Sequence, residues 1–265
     1  MIIKTLLLLV MAFRLSAQQF SPAPFLGAGG ASVAQDGIFA LQDNPAGLTS
    51  LKRLAAGSAF QQHFVGTDIA SQAFYLAIPV FSGSWLGFTV TNYGVFELSS
   101  LMRSGASFVR SFGHFSASVG VNYHQFAVHS YQSERQFSGD LGFQFRGIDH
   151  LSLGLFWRNI AQAKFSTLVD QRIVQEVGVG ALAQVTSQLE AVVDVWREHP
   201  ETWRYRSGLI YRFSEQFCLR GGFASSPFQY TGGVGFMKGK WAFDLASAFH
   251  VTLGSSPQLA LSYAF

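Results

Sequence analysis

From about residue 51 onward the chain alternates, residue by residue, between a greasy face and a small or polar one. Leu259, Leu261, Tyr263 and Phe265 share one side while Gln258, Ala260, Ser262 and Ala264 share the other. The split recurs throughout: Leu151, Leu153, Leu155 and Trp157 oppose Ser152, Gly154 and Arg158, and Leu141, Phe143 and Phe145 oppose Asp140, Gly142, Gln144 and Arg146. Tyr205, Leu209, Tyr211 and Phe213 oppose Arg206, Gly208 and Arg212, and Trp241, Phe243, Leu245 and Phe249 oppose Ala242, Asp244, Ala246 and His250. A period of two is the period of a pleated strand, because successive side chains leave opposite faces of the sheet. The 27 phenylalanines and 27 glycines point the same way, since aromatics pack well on sheets and glycine weakens helix interiors.

A soluble sandwich alternates too, so the positions of aromatics and charges have to separate the two cases. Aromatics recur near strand ends (Phe81, Trp85, Trp157, Trp203, Trp241, Tyr263, Phe265), while charges fall on the other face or in turns. That is the layout of interfacial girdles around a polar lumen. Only 12% of the residues are charged, against about 25% in an ordinary soluble domain. After residue 17 no apolar run approaches the roughly 18 residues a membrane helix needs, so any crossing must be made by strands. Strands cross lipid only as a closed barrel, which leaves no backbone edge unpaired. The expected fold is an all-β transmembrane antiparallel barrel.

Turn residues divide the barrel into about 14 strands, near 53–64, 69–80, 84–95, 101–112, 115–129, 134–146, 150–161, 171–185, 188–197, 202–213, 216–224, 228–237, 240–251 and 257–265. Connections after even strands are tight (Ser82-Gly83, Gly113-His114, Gly147-Ile148-Asp149, Thr186-Ser187, Ser214-Glu215, Lys238-Gly239), the pattern expected at a periplasmic rim. The others are longer in places, notably Gln162 to Asp170 and Glu198 to Glu201, but none is long enough for an elaborate outer lid.

Residues 1–17, MIIKTLLLLVMAFRLSA, combine a charged start at Lys4, an apolar run from Thr5 to Phe13 and small residues Ser16 and Ala17 before Gln18. This is the pattern of a secretory signal peptide cut after Ala17. No cysteine follows the run, so a lipoprotein anchor is not expected. Removing Lys4 and Arg14 leaves 16 basic against 15 acidic residues, a mature chain near neutrality with no basic stripe for nucleic acid. The one cysteine, Cys218, lies between Phe217 and Leu219 and reads as a small packed residue.

Residues 18–50, between the leader and the barrel of 51–265, do not alternate. The stretch PAPFLGAGGASVAQDGIFALQDNPAGLTS is rich in Gly, Ala and Pro, with a short apolar run from Ile38 to Leu41. About 30 structureless residues would be an unusual loop, so the segment is expected inside the lumen as a plug. Here the chain resembles the FadL-like superfamily of outer-membrane barrels and the related PorV/PorQ proteins. The residues that carry the resemblance are the run Gly27 to Gly30 with Gly29, then Asp36, and the turn Asp43-Asn44-Pro45-Ala46-Gly47-Leu48. The terminal Leu-Ser-Tyr-Ala-Phe, with Tyr263 and Phe265, resembles the assembly signal read by the barrel-insertion machinery.

The resemblance implies a location in the outer membrane of a Gram-negative bacterium, contact with outer-membrane lipid, and binding or passage of a hydrophobic small molecule, released by movement around Asn44 to Gly47. Through its PorV/PorQ side it implies the alternative of a docking or shuttle component for type IX secretion, with secretion-system components as partners.

No catalytic motif is present: there is no GxSxG, HExxH or P-loop, and no cysteine or histidine spacing suited to zinc, so no enzyme, metal or cofactor is expected. His124 and His129 are five apart and fall on opposite strand faces, whereas a pair of ligands on one face needs even spacing. A Ser-His pair drawn from different strands stays open. The inward face carries Arg146, Arg158, Glu176, Asp194, Arg206, Arg212, Arg220 and Asp244. These mixed charges either satisfy each other and anchor the plug, or some arginines meet the carboxylate of an amphipathic ligand.

Overall fold

A computed structural model describes residues 20–95, 97–129, 133–166, 173–198 and 202–265. The expected signal peptide and the tips of two long connections, at 167–172 and 199–201, lie outside the described residues.

Fourteen strands form one closed sheet: β1 (Ala55–Gln62), β2 (Ile69–Phe81), β3 (Ser84–Val95), β4 (Ser99–Phe112), β5 (Phe115–Val128), β6 (Glu134–Ile148), β7 (Leu151–Arg158), β8 (Glu176–Gln184), β9 (Leu189–Glu198), β10 (Thr202–Arg212), β11 (Phe217–Ser225), β12 (Phe228–Lys238), β13 (Trp241–His250) and β14 (Gly254–Ala264). Every strand pairs antiparallel with its sequence neighbour, and β14 returns to β1 with Ala264 opposite Ala55 and Gln258 opposite Gln61. A strand of 11 residues such as β12 is about 36 Å long at ~3.3 Å per residue, and tilted by ~45° it spans the ~25 Å apolar band of such a barrel. The first and eighth strands are shorter than the alternation indicates, because His63 to Asp68 turn away after Gln62 and pairing resumes only at Glu176.

Register carries the alternation into rows. Leu219, Val234, Leu245, Leu259 and Phe60 stand side by side across β11, β12, β13, β14 and β1, each about half exposed. A soluble monomer rarely shows a continuous apolar patch above a few hundred Å², so a wall of such rows is a lipid-facing surface. At the end with the tight turns the rings run in succession: Phe213 on Phe217 at 5.7 Å, Phe217 on Phe236 at 4.8 Å, Trp241 on Tyr263 at 4.6 Å and Tyr263 on Phe265 at 4.8 Å. The tight turns put this end where the sequence pattern expects the periplasmic rim.

Three expectations about faces are corrected. Trp85 does not join the girdle: it shares the inner face with Gly87 and Thr89, beside the inward Ala77 of β2, and is only 5% exposed. Phe156 and Trp196 also point inward, as do Val192 and Ile210 of β9 and β10. Conversely Arg110 and Arg197 point outward, their guanidinium groups 5.7 Å from the Phe112 ring and 5.6 Å from the Trp203 ring. Both sit at strand ends, where a long cation keeps its head at the polar interface while its stem lies on aromatic surface.

Candidate functional site in the lumen

Residues 20–50 lie inside the barrel as a short helix, α1 (Ala23–Leu26), and two 3₁₀ turns, Ile38–Gln42 and Pro45–Ser50. The segment has an apolar half and a polar half. Phe20, Phe25, Leu26, Ile38, Phe39, Leu41 and Leu48 pack against the inner faces of β13, β14, β1 and β2, which present Ala246, Ala248, Ala260, Ala55, Ala59, Ala73 and Ala77. Alanines on the wall leave the volume that the large side chains of the segment fill, so the two surfaces interlock at interior density. Tyr75 closes this cluster, edge-on to Phe39 at 5.3 Å, with its hydroxyl donating to Gln42 Oε1 at 3.0 Å.

Elsewhere the wall recedes to backbone. Gly208 and Gly222 face each other across β10 and β11, and a methyl group on either would strike the main chain at Ala28 or Gly29. Gly154 of β7 is held in the same way by the carbonyl of Val33. These glycines mark where two backbones come within van der Waals contact. Gly29 and Gly30 take positive φ (78° and 73°), the left-handed conformation that reverses the chain after α1. Gly27 does not (φ −56°), and Gly47 is a close-packing residue with no room for a side chain against Gln35 and Ala40.

The polar half is fastened by wall side chains that read the segment's main chain. Asp194 of β9 accepts the N–H groups of Ser32 at 2.6 Å and Val33 at 3.0 Å, and Arg206 of β10 donates to the Gly30 carbonyl at 2.9 Å. The Arg206 guanidinium lies 3.9 Å above the Trp196 ring, and Arg158 lies 5.0 Å from the Phe156 ring. Arg158 bridges Asp43 of the segment, at 2.8 Å, and Glu176 of β8. Asn44 is wholly buried: its amide donates to the carbonyls of Val33 at 2.7 Å and Phe143 at 3.0 Å, while Oδ1 accepts from the Ala46 N–H at 3.4 Å. It thereby caps the second 3₁₀ turn, with Pro45 in the first position, where a missing N–H costs nothing.

Nearer the tight-turn rim, Arg146 pairs with Asp36 and donates to Thr49 Oγ1 at 3.0 Å, and Gln144 donates to the Ala34 carbonyl at 2.7 Å. Ser116 of β5 donates to the Ala46 carbonyl at 3.0 Å.

Among the expected site residues, Asp36, Asn44, Arg146, Arg158, Asp194 and Arg206 thus converge on the contact between segment and wall. Arg212 and Asp244 point inward but pair within the wall, with Glu190 and Arg220, each at 2.6 Å. Tyr263 and Phe265 belong to the outer girdle. Sequence reasoning left Gln42, Arg103, Gln144, Trp196 and Thr231 out of the site, and named Asp43 only as part of the turn at Asn44. Arg103 holds the Gln42 carbonyl at 2.9 Å, and Thr231 Oγ1 accepts from the Gly29 N–H at 2.9 Å. Gln144 and Thr231 did carry a signal, as polar residues on the inward face of their strands. Among the described residues Ser71 pairs with His63 at 2.7 Å and Ser138 with His124 at 2.8 Å, and each gives a buried inward imidazole a hydrogen bond.

Solved structures share this arrangement of strands. The Ralstonia pickettii toluene transporter TbuX matches over 95% of this chain and 100% of its own, with 15% identity and a TM-score of 0.68. The fold is that of the FadL-type barrels. The P. putida toluene transporter TodX (12% identity, 93% of this chain and 99% of its own, TM-score 0.68) and a Pseudomonas aeruginosa FadL homologue (11%, 92% and 98%, TM-score 0.67) agree with it. No protein-family model matches the sequence, and neither does any curated protein. The FadL-type fold therefore persists here at sequence identities where few side chains are shared. These structures bear on the FadL side of the expected resemblance and say nothing of the PorV/PorQ proteins.

Proposed function

We propose that this chain is an outer-membrane barrel that binds or passes a hydrophobic small molecule, with residues 18–50 acting as its plug. The observation that carries the reading is the two-sided lumen: an apolar half built on alanines, and a polar half whose charges are spent on holding the segment. A water-filled pore for polar solutes would present free charges to the lumen, whereas Asp194 and Arg206 are buried against the segment and Arg158 is paired with it. Proteins of the same fold include transporters of toluene and a monoaromatic hydrocarbon channel, which supports an apolar ligand of that size. The ligand passes along the apolar half when movement of the turn at Asn44 to Gly47 unseats Phe25, Phe39 and Leu41 from the alanine wall. This activity needs no covalent chemistry.

The test is uptake of toluene into proteoliposomes or cells carrying the full chain, beside a chain lacking residues 20–48. The deletion is expected to abolish selective uptake and to admit small polar solutes. Uptake and permeability both unchanged would overturn the reading.

A further inference from the structure

A recess lies on the outside of the barrel, at the tight-turn end of β10 to β13. About 330 Å³ in volume, it opens toward the lipid between two outward rows, Phe217, Phe236 and Phe243 below and Leu219, Val234 and Leu245 above. Its floor is the backbone of the Cys218–Gly235 pair, and its lining is almost wholly apolar. Two residues beyond Phe236, about 7 Å along the strand, stands Lys238, and Lys240 follows in the tight turn. Both are exposed, and among the described residues neither ammonium group has a carboxylate within ion-pair reach. Lys240 Nζ rests 5.9 Å from the Tyr263 ring, which holds it at girdle height. The neighbouring β10–β11 turn carries the single carboxylate Glu215, so cation prevails over this part of the rim.

We propose that this wall holds one anionic phospholipid of the periplasmic leaflet, its phosphate on Lys238 and Lys240 and one acyl chain in the recess. The two halves of the site fit the two halves of that molecule. An ammonium offers three donors and no acceptor, which suits a phosphate, and a recess lined by phenylalanine, leucine and valine excludes a polar occupant. The lysines lie at the interface and the recess lies deeper in the apolar band, the order in which a lipid presents headgroup and chain. The site is separate from the lumen and does not depend on what the lumen passes.

The experiment is native mass spectrometry of the full-length barrel in neutral detergent, titrated with phosphatidylglycerol, phosphatidylethanolamine or phosphatidylcholine, with folding checked by heat-modifiable mobility. One phosphatidylglycerol per barrel should be retained in preference to phosphatidylcholine. The change K238Q combined with K240Q should weaken phosphatidylglycerol retention by about fivefold for each lysine and weaken phosphatidylcholine, whose choline cation offsets its phosphate, distinctly less. V234W, which fills the recess from its outer edge, should weaken retention of all three lipids. Equal retention of phosphatidylglycerol and phosphatidylcholine by the native chain would overturn the proposal. So would an undiminished preference in the glutamine pair. The native chain's own selectivity decides the matter should that pair fail to fold.

Discussion

Asn44 separates two roles that a buried asparagine can play, and its substitutions should rank differently under each. If the residue matters only as the cap of the 3₁₀ turn, an aspartate in its place would serve as well, because both side chains accept equally from a turn N–H. The geometry instead makes it a donor clamp, with one amide nitrogen shared between the carbonyls of Val33, in the segment, and Phe143, in the wall. Asn44→Ala removes two donated bonds and the weaker capping bond, and leaves buried groups unpaired at about 1–3 kcal/mol each. Phe143 keeps its ladder pairing and loses less, so about 2–4 kcal/mol is expected in all. Asn44→Asp places a carboxylate oxygen against two carbonyls with no donor between them, and should cost at least as much as alanine.

At about 1.4 kcal/mol per tenfold, opening of the segment should become about 30- to 700-fold more frequent in the alanine variant. Amide exchange of residues 32–48 in detergent-folded protein reads this directly, because the strand ladders are untouched and should keep their protection. An Asn44→Asp variant that exchanges like the native chain would refute the clamp and leave only the cap.

Two further outcomes follow from the same packing. Arg158→Met leaves Asp43 and Glu176 buried without their shared cation and should lower resistance to denaturant by about 3–5 kcal/mol, measured as loss of the compact band on a gel of unheated protein. Trp85→Ala should cost about 3–5 kcal/mol in the same assay because it opens a cavity in the core. Trp241→Ala, on the lipid-facing girdle, should cost distinctly less, and equal losses would mean that Trp85 is not enclosed.

The strand pattern was legible because a period of two assigns each residue to a face without reference to any partner. That suffices for β3, read at its observed limits, and for the inward direction of Arg146, Arg158, Asp194, Arg206, Arg212 and Asp244. It also suffices for the closed barrel, since the only way to hide the backbone of so many greasy strands from lipid is to leave no edge. The rest depended on register. Trp85 sits two residues before the inward Gly87, so alternation alone placed it inside. Its bulk and position near a strand end argued for the girdle, and packing overrode that argument. The pairing of Ser32 with Asp194 joins residues 162 apart, and nothing local to either announces it.

The small inward residues carry the strongest lesson about this lumen. Read along one strand, Gly208 or Ala260 is merely unobtrusive. Read around the barrel, Gly154, Gly208 and Gly222 lie where the segment's backbone touches the wall, and the alanines lie where its aromatic side chains press outward. The wall is therefore a mould of one particular arrangement of residues 20–48, and a second arrangement would leave cavities against alanine and clashes against glycine. Interiors packed in this way switch between discrete states and do not deform continuously. Any passage through the lumen then has to be a concerted release of the turn at Asn44 with the contacts of Arg158 and Asp194, and gradual widening beside a fixed segment is excluded. Loosening Asn44 alone should raise the frequency of that event without changing which molecules it admits, whereas replacing Ala59 or Ala260 by a larger residue should overpack the closed arrangement and change both the frequency and the admitted molecules.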